Sequence, residues 1–178
     1  MEYAVELYFD SATENAIMAL ANKIAQRGIS RRFLEYKTRP HLTLACFHDV
    51  DECLGSQVLQ DFAKQHVKKP AHLGSVGMFP DSRTIFLAPI MTKELYEYQK
   101  DLHEAMRLFD TSGWAWYHPD RWAPHCTLAL TGEDAENAFF EASDLVLHEF
   151  QKLSGAFESV GLVKITFPVE EVYTVELA

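Results

Sequence analysis

The chain of 178 residues has an ordinary globular composition, with 48% apolar and 24% charged residues, which excludes a disordered or low-complexity protein. No apolar stretch approaches the ~20 residues that a membrane-spanning helix needs, so we expect no membrane partner. The formal charge is −10, with 16 Lys and Arg against 26 Asp and Glu. An extended nucleic-acid footprint needs a basic stripe and is therefore not expected.

The strands and helices can be predicted in chain order from hydrophobic periodicity. Alternating apolar residues between turn signals predict strands at 3–9, 41–47, 72–79, 84–90, 125–130, 157–166 and 171–177. The first helix is predicted to begin at the capping box Ser11–Glu14 and to end at Gly28. Apolar residues at helical spacing mark three more helices, around 54–62, 95–109 and 135–150.

Two segments of the chain recur at one constant offset. The sequence PHLTLA at 40–45 returns as PHCTLA at 124–129, and SVG at 75–77 returns at 159–161, both 84 residues later. We interpret this as a duplication into halves of roughly 1–83 and 84–178. The predicted fold is α+β, a single bilobal domain over 1–178 with two pseudo-symmetric lobes, each an antiparallel sheet with helices. The strand at 84–90 ends one half and begins the other, so the lobes are expected to interlock.

The repeated segment carries an H-x-T motif in each half. Side chains alternate along a strand, so His41 and Thr43 are expected on one face, as are His125 and Thr127. Two imidazoles that face one phosphate can act as general base and general acid, and two threonine hydroxyls can bind its non-bridging oxygens. The side chains between and after them are expected to point into the core: Leu42, Leu44 and Cys46.

Two less specific interpretations of these histidines compete with catalysis. A single H-x-T strand would usually carry no chemistry, but two of them inside a duplication favour a function. Metal binding is not expected, because H-x-x-x-H and H-E-x-x-H spacings are absent and the other six histidines are scattered. The sequence also lacks a phosphate-binding loop and a dinucleotide fingerprint, so we expect no cofactor.

The segment 110–122 contains all three tryptophans and has no helical or strand periodicity, so it is predicted to be a loop beside the cleft. Aromatic side chains next to a phosphate site commonly stack on bases. We expect Trp116, Tyr117 or Trp122 to contact a base or sugar, and Trp114 to anchor the loop to the body of the protein.

Other candidates are less specific. Arg39 and Arg121 precede the two motifs and could neutralise a phosphate, although either could instead be a surface ion-pair partner. Phe79 and Arg83 lie on the predicted central hairpin and are candidates for lining the cleft. The three cysteines, Cys46, Cys53 and Cys126, cannot all pair, and the first residues lack a signal peptide's basic segment; both observations favour the cytoplasm.

The sequence resembles the two-histidine (2H) phosphoesterases, also called 2′-5′ RNA ligase-like proteins, over nearly its whole length. The resemblance depends on PHLTLACF at 40–47, VGMFPDSRTIFLAP at 76–89 and PHCTLAL at 124–130. It implies a bilobal fold and metal-independent catalysis on 2′,3′-cyclic or 2′-5′ phosphodiester linkages. The resemblance also implies roles for four residues: His41 and His125 as catalytic residues, Thr43 and Thr127 as phosphate ligands.

The expected partner is a small nucleotide or an RNA terminus. Two alternatives stay open: a phosphodiesterase for a small cyclic phosphate such as an ADP-ribose derivative, and a nucleotide-binding module with little turnover. The sequence selects neither the physiological substrate, nor the direction of reaction, nor the oligomeric state.

Overall fold

The computed structural model describes residues 1–132 and 136–178, apart from the side chain of Glu136. Its strands are β1 (Tyr3–Phe9), β2 (His41–Phe47), β3 (Lys69–Phe79), β4 (Thr84–Pro89), β5 (Cys126–Leu130), β6 (Leu153–Lys164) and β7 (Glu170–Glu176). Its helices are α1 (Ser11–Gln26), α2 (Arg32–Glu35), α3 (Glu52–Gln65), α4 (Lys93–Ala105) and α5 (Glu136–Glu149). Two 3₁₀ helices follow α4, at Arg107–Ser112 and Ala115–Tyr117.

The predicted elements correspond to these closely. The strands β3 and β6 begin three to four residues earlier than predicted, and the short helix α2 was not predicted. Ala135, which was included in the apolar stripe of the last helix, lies outside the described residues. None of the described helices is long and apolar enough to cross a membrane.

The described strands form one antiparallel sheet in the order β2-β1-β6-β3-β4-β5, with β7 paired to β6. The predicted α+β class is thereby confirmed. Strand β6, from the second half of the chain, pairs with β1, and β3, from the first half, pairs with β4. Each half therefore lends a strand to the other.

The pairing of β3 with β6 has an internal two-fold symmetry. Lys69 is opposite Phe157 and Leu73 is opposite Leu153, and the offset of 84 residues converts one pair into the other. The pair in the middle, Ala71 with Gly155, is converted into itself. A pseudo-two-fold axis therefore passes through the Ala71–Gly155 pair.

The first helix begins one residue earlier than its capping box suggested. The N-cap is Asp10, whose carboxylate accepts from the backbone N–H of Thr13 at 2.9 Å and from that of Ala156 at 2.6 Å. Only the second contact of Asp10, from a residue 146 positions away, has no local signal in the sequence. The helix ends at Gln26, and the predicted stop signal Gly28 follows two residues later with a φ of +74°, which glycine adopts without a Cβ clash.

Both H-x-T strands carry a β-bulge at equivalent positions. Between β1 and β2 the register shifts so that Leu44 is the extra residue, and between β4 and β5 the extra residue is Leu128. Because a bulge reverses the side-chain alternation that follows it, Cys46 faces the same side as Thr43. The prediction that Cys46 points into the main core with Leu44 is therefore wrong.

Candidate active site beside the two H-x-T strands

The sheet curves until its two edge strands, β2 and β5, contact one another. A cavity of about 320 Å³ opens beside them. Its polar wall is formed by Glu6, Thr38, His41, Thr43 and Thr127. Its aromatic wall is formed by Phe33, Tyr36, Trp114 and Tyr117. The volume is in the range of small-molecule sites.

Both histidines are held by the same backbone contact. The Nδ1 atom of His41 is 2.7 Å from the carbonyl oxygen of Arg39, and that of His125 is 2.8 Å from the carbonyl oxygen of Ala123. A carbonyl can only accept, so Nδ1 carries the hydrogen in each ring. The Nε2 atom is therefore the nitrogen available for proton transfer in both halves.

His41 has a carboxylate beside it. Its Nε2 atom is 3.3 Å from Oε1 of Glu6, a buried residue whose Oε2 accepts a hydrogen bond from the hydroxyl of Tyr8 at 2.9 Å. Burial raises the pKa of Glu6, while the charge of His41 and the Tyr8 hydrogen bond oppose that shift. Glu6 and Tyr8 were missed in the sequence, although a Glu in the middle of an apolar strand was a signal for Glu6.

His125 has an apolar environment. Its ring is perpendicular to that of Phe79, with centroids 4.9 Å apart, and lies 5.3 Å from that of Phe86. Burial lowers the pKa of His125, and the nearby charge of His41 lowers it further, against the hydrogen bond to the Ala123 carbonyl. His125, which immediately precedes β5, does not line the cavity, but Thr127 on β5 does.

The glycines of the repeated SVG segments make room for the aromatic rings next to the two histidines. An added Cβ at Gly77 would be 2.3 Å from the ring of Phe86, and one at Gly161 would be 2.6 Å from the ring of Tyr8. These glycines are the repeated ones of the SVG segments. They leave room for one ring beside each histidine.

We expect Gly77→Ala to displace Phe86 from beside His125. Overpacking of this kind costs about 1–3 kcal/mol of unfolding free energy, which denaturant unfolding measures. The exposed Ser75→Ala on the same strand is the matched control and should change stability by less than ~0.5 kcal/mol. Equal stability of the two variants would contradict the assigned contact.

The structure places the three candidate arginines outside the cavity. Both Nε and Nη2 of Arg39 donate to Glu14, at 3.1 and 2.6 Å, and its guanidinium lies 4.2 Å from the ring centre of Tyr8. Of the two roles that the sequence left open for Arg39, the structure therefore favours the ion pair over phosphate neutralisation. Arg121 is exposed and does not line the cavity, and neither does Arg83.

The predicted aromatic residues divide into three groups. Tyr117 lines the cavity, and so does Trp114, whose Nε1 donates to Glu2 at 2.9 Å and which also anchors the loop. Trp116 is 75% exposed and lies outside the cavity. Phe79 contacts His125 rather than the cavity.

Trp122, one of the three residues of which we expected one to contact a base or sugar, is outside the cavity. Its side chain is buried, and its Nε1 donates to the backbone carbonyl of Thr43 at 2.9 Å. Because β2 is an edge strand, its outer carbonyls need partners from outside the sheet. Trp122 supplies one of them and so supports the first H-x-T strand from behind.

Within residues 1–132 and 136–178, no cluster of three or more His, Cys, Asp or Glu side chains is arranged to hold a metal ion. The expected independence from metal stays a prediction. Burial raises the pKa of the Cys46 thiol to about 12, so this cavity residue is not a reactive thiolate at neutral pH.

The antiparallel α+β fold, with an H-x-T motif at each end of the strand order β2-β1-β6-β3-β4-β5, agrees with the resemblance to the 2H phosphoesterases. The family model of the 2′-5′ RNA ligase superfamily matches residues 10–176, and the chain belongs to that superfamily. The resemblance stated from the motifs is thus confirmed. No curated protein matches the chain by sequence.

Solved structures share the fold at low identity. LigT of E. coli in its apo form has a TM-score of 0.61 at 15% identity, over 99% of this chain and 97% of LigT. LigT complexed with 3′-AMP has a TM-score of 0.58 at 14% identity, over 99% and 98% of the two chains. TT0787 of Thermus thermophilus has a TM-score of 0.59 at 16% identity, again over 99% and 98%.

Proposed function

We propose that this protein is a metal-independent phosphodiesterase that acts on 2′,3′-cyclic or 2′-5′ linkages of nucleotides or RNA ends. His41 and His125 exchange protons with the reacting oxygens, and Thr43 and Thr127 bind the phosphate. The observation that carries the proposal is the matched anchoring of the two imidazoles. Each has Nδ1 fixed by the carbonyl two residues before it, which leaves Nε2 for chemistry.

The reaction that two such histidines support is the opening of a cyclic phosphate by water. One neutral Nε2 accepts a proton from water as its oxygen bonds to phosphorus. The bond from phosphorus to one ribose oxygen breaks, and its electron pair stays on that oxygen, which takes a proton from the other Nε2. The product is a phosphate monoester, and the two histidines return to their starting states by exchange with solvent.

The cavity favours a small substrate. Among the described residues that line it there is no Lys or Arg, so one phosphate is the most that its polar wall can bind well. The aromatic wall, with Tyr36, Trp114 and Tyr117, offers ring faces for a base. LigT, which shares the fold, was solved with 3′-AMP and with phosphate.

The test is a screen of 2′,3′-cyclic mononucleotides, 2′-5′-linked dinucleotides and cyclic phosphates of ADP-ribose derivatives, with the position of the product phosphate assigned. His41→Ala prepared in the same way controls for contaminating nucleases. Failure of the wild type to turn over any of them, while still binding nucleotides, would favour the binding-module alternative.

We further expect chelation to leave the rate unchanged. Prolonged treatment with EDTA should remove bound divalent ions without affecting a reaction that depends on two imidazoles. The measurement is turnover of the best substrate before and after chelation, with Mg²⁺, Mn²⁺ or Zn²⁺ restored in parallel. A rate that disappears on chelation and returns with one metal would exclude the proposed mechanism.

A further inference from the structure

The two halves differ in the residue that stands beside each H-x-T threonine. In the β1–β2 pairing the residue opposite Thr43 is Glu6, and in the β4–β5 pairing the residue opposite Thr127 is Phe86. The two positions are equivalent in the duplicated fold. One histidine therefore has a buried carboxylate as neighbour, and the other has a phenyl ring.

Glu6 is the acidic side chain in contact with His41. Its Oε1 is 3.3 Å from Nε2, within ion-pair distance but outside hydrogen-bond geometry, so the N–H is not directed at the carboxylate. A buried carboxylate that stayed ionised without a positive neighbour would be costly. Since Arg39 is bound to Glu14, His41 is the cation in contact with Glu6.

His125 has no such partner. In the part of the chain that the structure describes, no acidic side chain is within ion-pair distance of it. Its neighbours are the rings of Phe79 and Phe86, which cannot stabilise a buried positive charge as a carboxylate does. The protonated form of His125 is therefore disfavoured, whereas His41 has a carboxylate beside it.

On the basis of the proposed function, we infer that His41 is the general acid and His125 the general base of the ring-opening step, and that Glu6 is the positioning residue that keeps the proton on His41. Water then loses its proton to Nε2 of His125, and the leaving ribose oxygen receives the proton from Nε2 of His41. While it holds this proton, the Glu6–His41 pair has no net charge and so does not repel the phosphate. The absence of repulsion is important because neither Lys nor Arg is among the described residues that line the cavity.

Several other titratable or charged groups act on the Glu6–His41 pair. The hydroxyl of Tyr8 donates to Glu6, so it stabilises the ionised carboxylate. The remaining groups are Arg39 before β2, Cys46 on β2, Tyr117 in the second 3₁₀ helix, Cys126 on β5 and Glu171 on β7. Burial keeps both thiols and the Tyr117 hydroxyl neutral, which leaves Glu6 as the acidic group in contact with His41.

Histidine NMR titration tests the protonation states without any substrate. The ring signals are assigned with His41→Ala and His125→Ala. We expect His125 to lose its proton at a lower pH than His41, and Glu6→Gln to move the His41 transition down by roughly 1 pH unit or more. The exposed Glu171→Gln removes the same charge nearby and should move neither transition appreciably. Coincident transitions, or no response to Glu6→Gln, would refute the inference even if the protein turned over no substrate.

Kinetics then test the two roles in turnover. The rate should rise with pH as His125 becomes neutral and fall as the Glu6–His41 pair loses its proton. Glu6→Gln should shift only the alkaline limb, toward lower pH, and Glu6→Asp should restore part of it. A purely structural role of Glu6 would lower the rate without moving one limb selectively.

A substrate whose leaving group needs no proton distinguishes the general acid from the general base, because only loss of the acid should then be tolerated. Sulfur is placed in the cyclic phosphate at the leaving ribose position, because a thiolate departs without needing a proton. His41→Ala should then regain activity by at least about tenfold relative to the oxygen substrate, whereas His125→Ala should stay inactive on both. Rescue of His125→Ala instead, or of neither variant, would overturn the inference. An inactive wild type would count against the proposed function alone, since the NMR result stands independently.

Discussion

Replacing either His41 or His125 with Ala is expected to lower turnover of the best substrate by about 10²–10⁴-fold, with the protein still folded. In the proposed mechanism each side chain contributes the Nε2 atom that exchanges a proton with the substrate. Neither imidazole belongs to the apolar core, so its loss leaves no large core cavity. Single-turnover rates and the unfolding midpoint of each variant measure the two effects separately.

The double variant should lose little more than either single variant, because the two groups act on one transition state. His148→Ala is a matched control, since this histidine is exposed on α5, with 75% of its side-chain surface accessible. It should retain the wild-type rate. Near-native turnover of both His41→Ala and His125→Ala would place the chemistry elsewhere.

Trp122→Ala should lower the unfolding free energy by about 3–5 kcal/mol. The indole is buried, and its N–H binds the Thr43 carbonyl on the first H-x-T strand, so the substitution removes packing and a hydrogen bond together. Trp122→Phe keeps most of the ring and should cost only about 1–2 kcal/mol, part of which is the unsatisfied carbonyl. Denaturant unfolding of the three proteins gives these differences.

Trp116→Ala shows whether the stability loss in Trp122→Ala comes from the burial of the indole or from the loss of any tryptophan. This indole is 75% exposed, so its loss should change the unfolding free energy by less than about 0.5 kcal/mol. If Trp116→Ala and Trp122→Ala destabilised the protein equally, the division of the aromatic loop into a supporting and an exposed tryptophan would be incorrect.

The sequence predicts the strands and the H-x-T residues because their signals are local and repeated. Alternation along 41–47 and 125–130 places each histidine on the same face as its threonine, and the bulges begin only after Thr43 and Thr127. The offset of 84 residues, which is visible in the letters alone, reappears as the two-fold register of β3 and β6.

The parts that the sequence does not predict depend on non-local contacts. The orientation of Cys46 is reversed by a one-residue bulge that hydrophobic periodicity cannot reveal. Arg39 forms an ion pair with Glu14, 25 residues earlier, and the indole N–H of Trp122 donates to the carbonyl of Thr43, 79 residues earlier. Glu6 becomes significant only when β1 is paired with β2, because strand pairing sets it beside His41.

The two-fold register through Ala71 and Gly155 has a consequence for how such a site can diversify. Two identical half-length chains could build an equivalent sheet around that axis as a homodimer, but every substitution would then appear on both sides at once. Acid–base cleavage of a phosphodiester bond requires a proton donor on one side of the phosphate and a proton acceptor on the other. Joining the halves in one polypeptide frees each side to change alone, and the contrast between Glu6 and Phe86 is a departure from symmetry that only such a fusion permits.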